Sequence, residues 1–159
     1  MTTTITGATG INRVADGADM PAGSVLQVIN LLVADSTQST SATWVDTLIT
    51  LAITPSSTSS KILVQVNMCG LEKNGTNTYM SFRLDRNGTA IYRIEGQAGY
   101  TNNSDLNSVG SSSTSYLDSP SSTSAVTYKV QMRNPSATGV VKVGASLSNS
   151  TITLMEIAG

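Results

Sequence analysis

The stretch Thr151-Ile152-Thr153-Leu154-Met155-Glu156-Ile157 reads as a β-strand that stops two residues before the end of the chain. Its β-branched and apolar residues suit a pleated, half-buried surface. A last strand placed so late is expected to lie inside a sheet, which makes the C-terminus part of the core. Upstream the same pattern recurs: short β-branched strands separated by Ser, Thr, Gly and Asn turns, with almost no helical interruption. The expectation is an all-β scaffold of one domain, large enough at 159 residues to bury a core without disulfides or metals.

Working back from that stretch, strands are expected at Ser24–Val33, Leu48–Ile53, Lys61–Cys69, Thr78–Asp85, Ala90–Ile94, Thr127–Arg133 and Gly139–Ala145. The clearest alternation puts Ile62, Val64, Val66 and Met68 on one face, with Met80, Phe82 and Leu84, and Tyr128, Val130 and Met132, forming similar sets. Asn87-Gly88 is a strong hairpin signal, because both central positions of the favoured turn need positive φ. Glu95–Ser115 reads as a long polar loop, and Tyr116–Asp118 as the end of a strand. One echo links two regions. Thr54-Pro55-Ser56-Ser57-Thr58-Ser59 precedes a strand containing Val64-Gln65-Val66, and Ser119-Pro120-Ser121-Ser122-Thr123-Ser124 precedes one containing Val130-Gln131-Met132. Two corners built alike suit an antiparallel two-sheet sandwich.

Composition removes several function classes. Charged residues are 12% of the chain, net charge is −1, and the nine Lys and Arg are dispersed, so no basic track for nucleic acid is expected. The closest grouping, Arg83, Arg86 and Arg93, reads as solvated strand residues. Histidine is absent, which removes the usual zinc ligand sets and the Ser-His and Cys-His pairs. Cys69 is the single cysteine and is expected to be a small buried apolar residue. No segment approaches the ~18 apolar residues of a membrane span, and Met-Thr-Thr-Thr-Ile-Thr has neither the basic start nor the apolar run of a secretory leader. Accordingly the Asn-X-Ser/Thr triplets at Asn74, Asn87, Asn102 and Asn149 read as turns.

The remaining chemistry is sparse. Asp105 with Asp118, or Glu72 with Glu95, are the carboxylate pairs a glycosidase would need. Asn102-Asn103-Ser104-Asp105-Leu106-Asn107 spaces oxygen ligands like a calcium loop but lacks its glycine and glutamate. Gly7-Ala8-Thr9-Gly10 is too short for a phosphate loop. Trp44 and the five Tyr could form a sugar-stacking platform, although a lone Trp in a small β domain is expected in the core. No catalytic residue, cofactor or metal is expected, and the chain is not expected to be an enzyme.

Residues 1–22 differ from the rest, with three glycines, Pro21 and isolated apolar residues that fit no period. They read as an extended N-terminal arm docked on a partner surface, ahead of a β-sandwich domain over residues 23–159. The candidate anchoring residues are Ile5, Ile11, Arg13, Val14 and Met20.

Several motifs in fixed order over residues 21–159 carry a resemblance: Pro21-Ala22-Gly23-Ser24-Val25-Leu26-Gln27-Val28, Ile53-Thr54-Pro55-Ser56-Ser57-Thr58-Ser59-Ser60-Lys61-Ile62-Leu63-Val64, Leu117-Asp118-Ser119-Pro120, Thr127-Tyr128-Lys129-Val130-Gln131 and the closing strand. Together they resemble a virion surface domain common in tailed bacteriophages, especially marine ones. Gly10-Ile11-Asn12-Arg13-Val14-Ala15-Asp16-Gly17 is similar to the linker that often precedes it. The resemblance implies a jelly roll of the tumour-necrosis-factor type, a homotrimer, and a place on the virion surface after synthesis in the host bacterial cytoplasm. The short arm departs from tail-fibre proteins, which usually carry a long attachment region. A capsid decoration subunit anchored on the major capsid protein is therefore the expectation, and a tail-fibre tip reading a host glycan through loops at Tyr100–Ser115 is the alternative. Neither implies nucleic acid or membrane as a partner.

Overall fold

A computed structural model describes residues 20–159. The strands are β1 (Val25–Val33), β2 (Thr37–Ser39), β3 (Val45–Ile53), β4 (Lys61–Lys73), β5 (Thr78–Arg86), β6 (Thr89–Thr101), β7 (Asn107–Asp118), β8 (Val126–Arg133), β9 (Val141–Val143) and β10 (Ser150–Ile157), with a 3-10 turn at Ala145–Leu147. All pairings are antiparallel. In the first sheet β10 lies between β1 and the first half of β4, β7 flanks the other side of β4, and β9 with β2 extends the far end. The second sheet has the order β3-β8-β5-β6. Leaving out the short β2 and β9, the eight long strands in chain order occupy positions 1-8-3-6 in one sheet and 2-7-4-5 in the other. That interleaving is the double Greek key of a jelly roll.

Alternation in the sequence explains which face each strand buries. Ile62, Val64, Val66 and Met68 of β4, Met80, Phe82 and Leu84 of β5, Tyr128, Val130 and Met132 of β8, and Ile152 and Leu154 of β10 all fill the space between the sheets. Each such side chain contributes about 1.5–3 kcal/mol relative to exposure. The closing strand is internal, as its position in the chain requires. Asn87 and Gly88 have φ of 50° and 88°, the pair of positive values that the tight β5–β6 hairpin demands.

Both proline turns are crossings between the sheets: residues 54–60 carry the chain from β3 to β4, and residues 119–125 carry it back from β7 to β8. They lie at the same end of the sandwich, since Ile53 pairs with Val126 and Ile62 with Asp118. This end, the base, also holds the start of β1 and the end of β10.

The segment Glu95–Ser115 is corrected from loop to strand: only residues 102–106 separate β6 from β7. Among the described residues each of these strands pairs along one side alone, with β5 and β4 respectively. Edge strands with a solvated face can carry Ser and Thr where a central strand carries Val, and four register shifts in the β5–β6 pairing erase the alternation that would betray β6. The region Gly139–Ala145 narrows to the three residues of β9, and the three-residue β2 gave no periodic signal.

Candidate functional site

The carboxylates that could have formed a catalytic pair are kept apart. Asp105 precedes β7 and Asp118 ends it, so at ~3.3 Å per residue they stand roughly 40 Å from each other, far beyond the roughly 5–9.5 Å of glycosidase pairs. Glu72 lies in the first sheet and accepts from Ser146 Oγ at 3.0 Å. Glu95 lies in the second, its Oε1 accepting from the amides of Gly96 and Gln97 at 2.7 and 3.0 Å. In the Asn102–Asn107 loop the candidate ligand oxygens are taken by amide donors: Asn107 Nδ2 donates to Asn103 Oδ1 at 3.2 Å and to the Asp105 carbonyl at 2.6 Å. Among the described residues no cluster of three His, Cys, Asp or Glu side chains could hold a metal.

Three placements correct the sequence reading. Trp44 is half-buried on the outer side of the second sheet instead of in the core, with the guanidinium carbons of Arg83 and Arg133 at 4.5 and 4.6 Å from its ring. Cys69 is half-buried and reduced, on the strand face opposite Met68. Arg86 is no solvated strand residue, since it points between the sheets and pairs with Asp118.

The outward side of the first sheet is a different kind of surface. Pairing registers place Val28, Met155, Leu63 and Leu117 in one row across β1, β10, β4 and β7. The next rows are Asn30, Thr153, Gln65 and Ser115, then Leu32, Thr151, Asn67 and Ser113. None of these twelve side chains is charged. Val28, Leu32 and Leu117 are 53%, 56% and 50% exposed. Where the Gln, Asn, Ser and Thr rows cross β10, β4 and β7 the sheet forms an open trough of about 450 Å³. Depletion of charge with exposed apolar residues at one margin is what the buried centre of a protein interface requires. The face was missed at the sequence level because it needs the register of four strands that are distant in the chain.

At the base, the chain enters β1 held to the C-terminus: Gly23 N donates to the Ala158 carbonyl and Ala158 N to the Ser24 carbonyl, both at 2.8 Å. Beneath this joint Glu156, 1% exposed, accepts from Gln27 Nε2 at 2.6 Å and from Ser56 N and Oγ at 2.7 Å each. Burial alone would raise the Glu156 carboxyl, but the Gln27 and Ser56 donors outweigh it and hold the carboxyl below its ordinary value. Of the candidate arm residues, Met20 is 37% exposed beside this joint in the chain. Ile5, Ile11, Arg13 and Val14 lie outside the described residues.

The fold is that of an all-β jelly roll with one uncharged, partly apolar outward face on its first sheet. Among solved structures the chain is similar to the crystal structure of the infectious bursal disease virus VP2 subviral particle, at 12% identity and a TM-score of 0.44. The likeness covers 84% of this chain and 37% of that one, so the chain spans little more than a third of its neighbour's length. No family model matches the chain, and no curated protein matches it.

Proposed function

We propose that this chain is a non-enzymatic structural protein of a bacteriophage virion, a homotrimeric jelly-roll subunit that decorates the capsid and is anchored to the major capsid protein by its N-terminal arm. The virion setting rests on the sequence resemblance over residues 21–159. The observation that carries the mechanism is the uncharged outward face of β1, β10, β4 and β7, which gives copies of the chain a surface to share. Packing that face against its symmetry mates covers Val28, Leu63, Leu117 and Met155, and shields the edges of β1 and β7, unpaired among the described residues, from edge-to-edge pairing. Because the chain enters β1 at the base, the three arms of a trimer leave from one end of the assembly and reach the capsid together. Their attachment multiplies through effective concentration even where each arm binds weakly.

Gold-labelled antibody against this chain tests the reading on intact particles. Labels spread over the head are expected; labels confined to the tail replace decoration with the tail-fibre alternative. Protein lacking residues 1–20 is expected to remain a trimer and lose particle attachment. Retained attachment removes the anchoring role from the arm.

A further inference from the structure

On the opposite side of the sandwich, the outer face of the second sheet concentrates positive charge that the rest of the chain avoids. Three of the nine cationic residues, Arg83, Arg93 and Arg133, gather around the only tryptophan. Arg83 and Arg93 are directly opposed on β5 and β6, an arrangement in which like charges repel. Among the described residues none of the three forms an ion pair. The nearest acid in their row, Asp46, is already committed: Gln131 Nε2 donates to its Oδ1 at 2.6 Å and Lys129 Nζ to its Oδ2 at 2.7 Å. Arg83 Nε donates to Gln131 Oε1 at 2.7 Å, which fixes the guanidinium plane and leaves its terminal nitrogens without a partner among the described residues. Arg133 Nε is buried with no acceptor among the described residues. Trp44 holds Arg83 and Arg133 over its ring, so the cations are positioned before any ligand arrives.

Beside them lies an open pocket of about 290 Å³, lined by Trp44, Arg83, Ala90, Ile91, Tyr92 and Arg93. The Tyr92 ring turns to the other face of β6, since Tyr92 is opposite the buried Leu84 and stacks on Tyr116 of β7 with ring centroids 4.9 Å apart, so it borders the pocket without facing Arg83 and Arg93. The pocket therefore has guanidinium donors at one side and the apolar residues Ala90 and Ile91 at the other. A bare phosphate would use only the first. A nucleic-acid backbone needs a row of cations several times longer, on a chain whose net charge is −1. An acidic sugar uses both, presenting a carboxylate to paired guanidinium forks and the C–H face of its ring to Ile91.

We infer that this pocket is a binding site for an acidic sugar residue of a surface polysaccharide, with Arg83 and Arg93 taking the carboxylate. The site is independent of the arm and of the face proposed for trimer contact, so either can fail without the other. Trp44 is the sole tryptophan, and its emission reports on the site directly.

The full chain is titrated with galacturonate, glucuronate and sialyl oligosaccharides, with neutral oligosaccharides of matching length, and with inorganic phosphate, by Trp44 emission and by calorimetry. At least one acidic oligosaccharide is expected to bind saturably, and Arg93→Gln to weaken it tenfold or more. Arg93 is exposed and makes no hydrogen bond in the described structure, so this variant should melt as the parent does. Rising salt should weaken binding as well. Equal binding of the neutral oligosaccharides, phosphate binding as tight as the sugar, indifference to Arg93→Gln, or silence of every acidic oligosaccharide in both measurements would each overturn the assignment.

Discussion

Arg86 Nη1 donates to both carboxylate oxygens of Asp118, at 2.9 and 2.8 Å, and so ties β5 of one sheet to β7 of the other. Tyr128 completes the joint from β8, its hydroxyl donating to Asp118 Oδ2 at 2.6 Å. Burial, with the Asp118 carboxylate beside it, pushes the Tyr128 hydroxyl far above its ordinary range, so it remains a donor throughout the working pH range. The Arg86 and Asp118 side chains are 28% and 7% exposed, and removing the acid strands a mostly desolvated cation and a buried hydroxyl together. Asp118→Ala should cost about 3 kcal/mol, and Tyr128→Phe, which leaves the ion pair in place, about 1 kcal/mol. Urea unfolding of both variants measures this; a cost for Asp118→Ala no larger than that for Tyr128→Phe removes the ion pair as a clamp between sheets.

Glu156 gives the base a pH dependence of definite sign. Its carboxyl is held below the ordinary glutamate value when folded, so the unfolded chain takes up a proton first as pH falls. The stabilisation is fully present above about pH 5 and is lost as pH drops through the folded-state value. Glu156→Gln should therefore melt lower than the parent at pH 7, and the gap should narrow steadily toward pH 3. A gap that stays constant across that range would show that the carboxylate charge contributes nothing to the joint of Gln27, Ser56 and the C-terminus.

Both carboxylates sit beside a proline turn, and that bears on how much the sequence disclosed. The repeated Pro-Ser-Ser-Thr-Ser segment announced two equivalent corners, and both are crossings at the base. Strict alternation in Lys61–Met68 and Val126–Met132 announced the core, because a strand covered on one side must put every second residue inward. What stayed hidden depends on pairing between distant segments. Leu63 and Leu117 are 54 positions apart in the chain and become neighbours only through the β4–β7 register. Trp44 looked like core because a large aromatic usually buries, yet two guanidinium groups half-cover it on the surface, where no hydrophobic pattern reports them. The edge strands β6 and β7 were illegible for a related reason: solvent tolerates Ser113 and Ser115 where a neighbouring layer would demand an apolar side chain.

The row Val28, Met155, Leu63 and Leu117 offers a direct probe of self-association. Leu117→Lys and Met155→Lys place a charge on the outward face without entering the space between the sheets. A cation buried in an interface without a partner costs several kcal/mol, and rotational symmetry would bury more than one copy of it. Each variant should keep the far-ultraviolet spectrum of the parent and run as a monomer in size-exclusion chromatography with light scattering. Variants that retain the parent's mass would place the contact between copies on another surface.

Gly70 marks where β4 changes partners, leaving β10 after Asn67 and taking up β9 at Glu72. Its φ is +60°, and a Cβ there would lie 2.6 Å from Ala145 N, against the 3-10 turn that fills the gap between the two partner strands. Gly88 has a φ of +88° in the β5–β6 hairpin, but a Cβ would meet nothing within 4 Å. Both substitutions to Ala carry the backbone penalty of a left-handed residue, about 1 kcal/mol; Gly70→Ala adds a collision with main chain that cannot rotate away. It should therefore destabilise by about 1–3 kcal/mol more than Gly88→Ala. Hydrogen exchange should show the added loss around Ala145 and β9, while the amides of the base stay protected. Equal costs for the two alanines would mean that the turn at Ala145 yields freely, and that the partner exchange along β4 does not depend on the missing side chain.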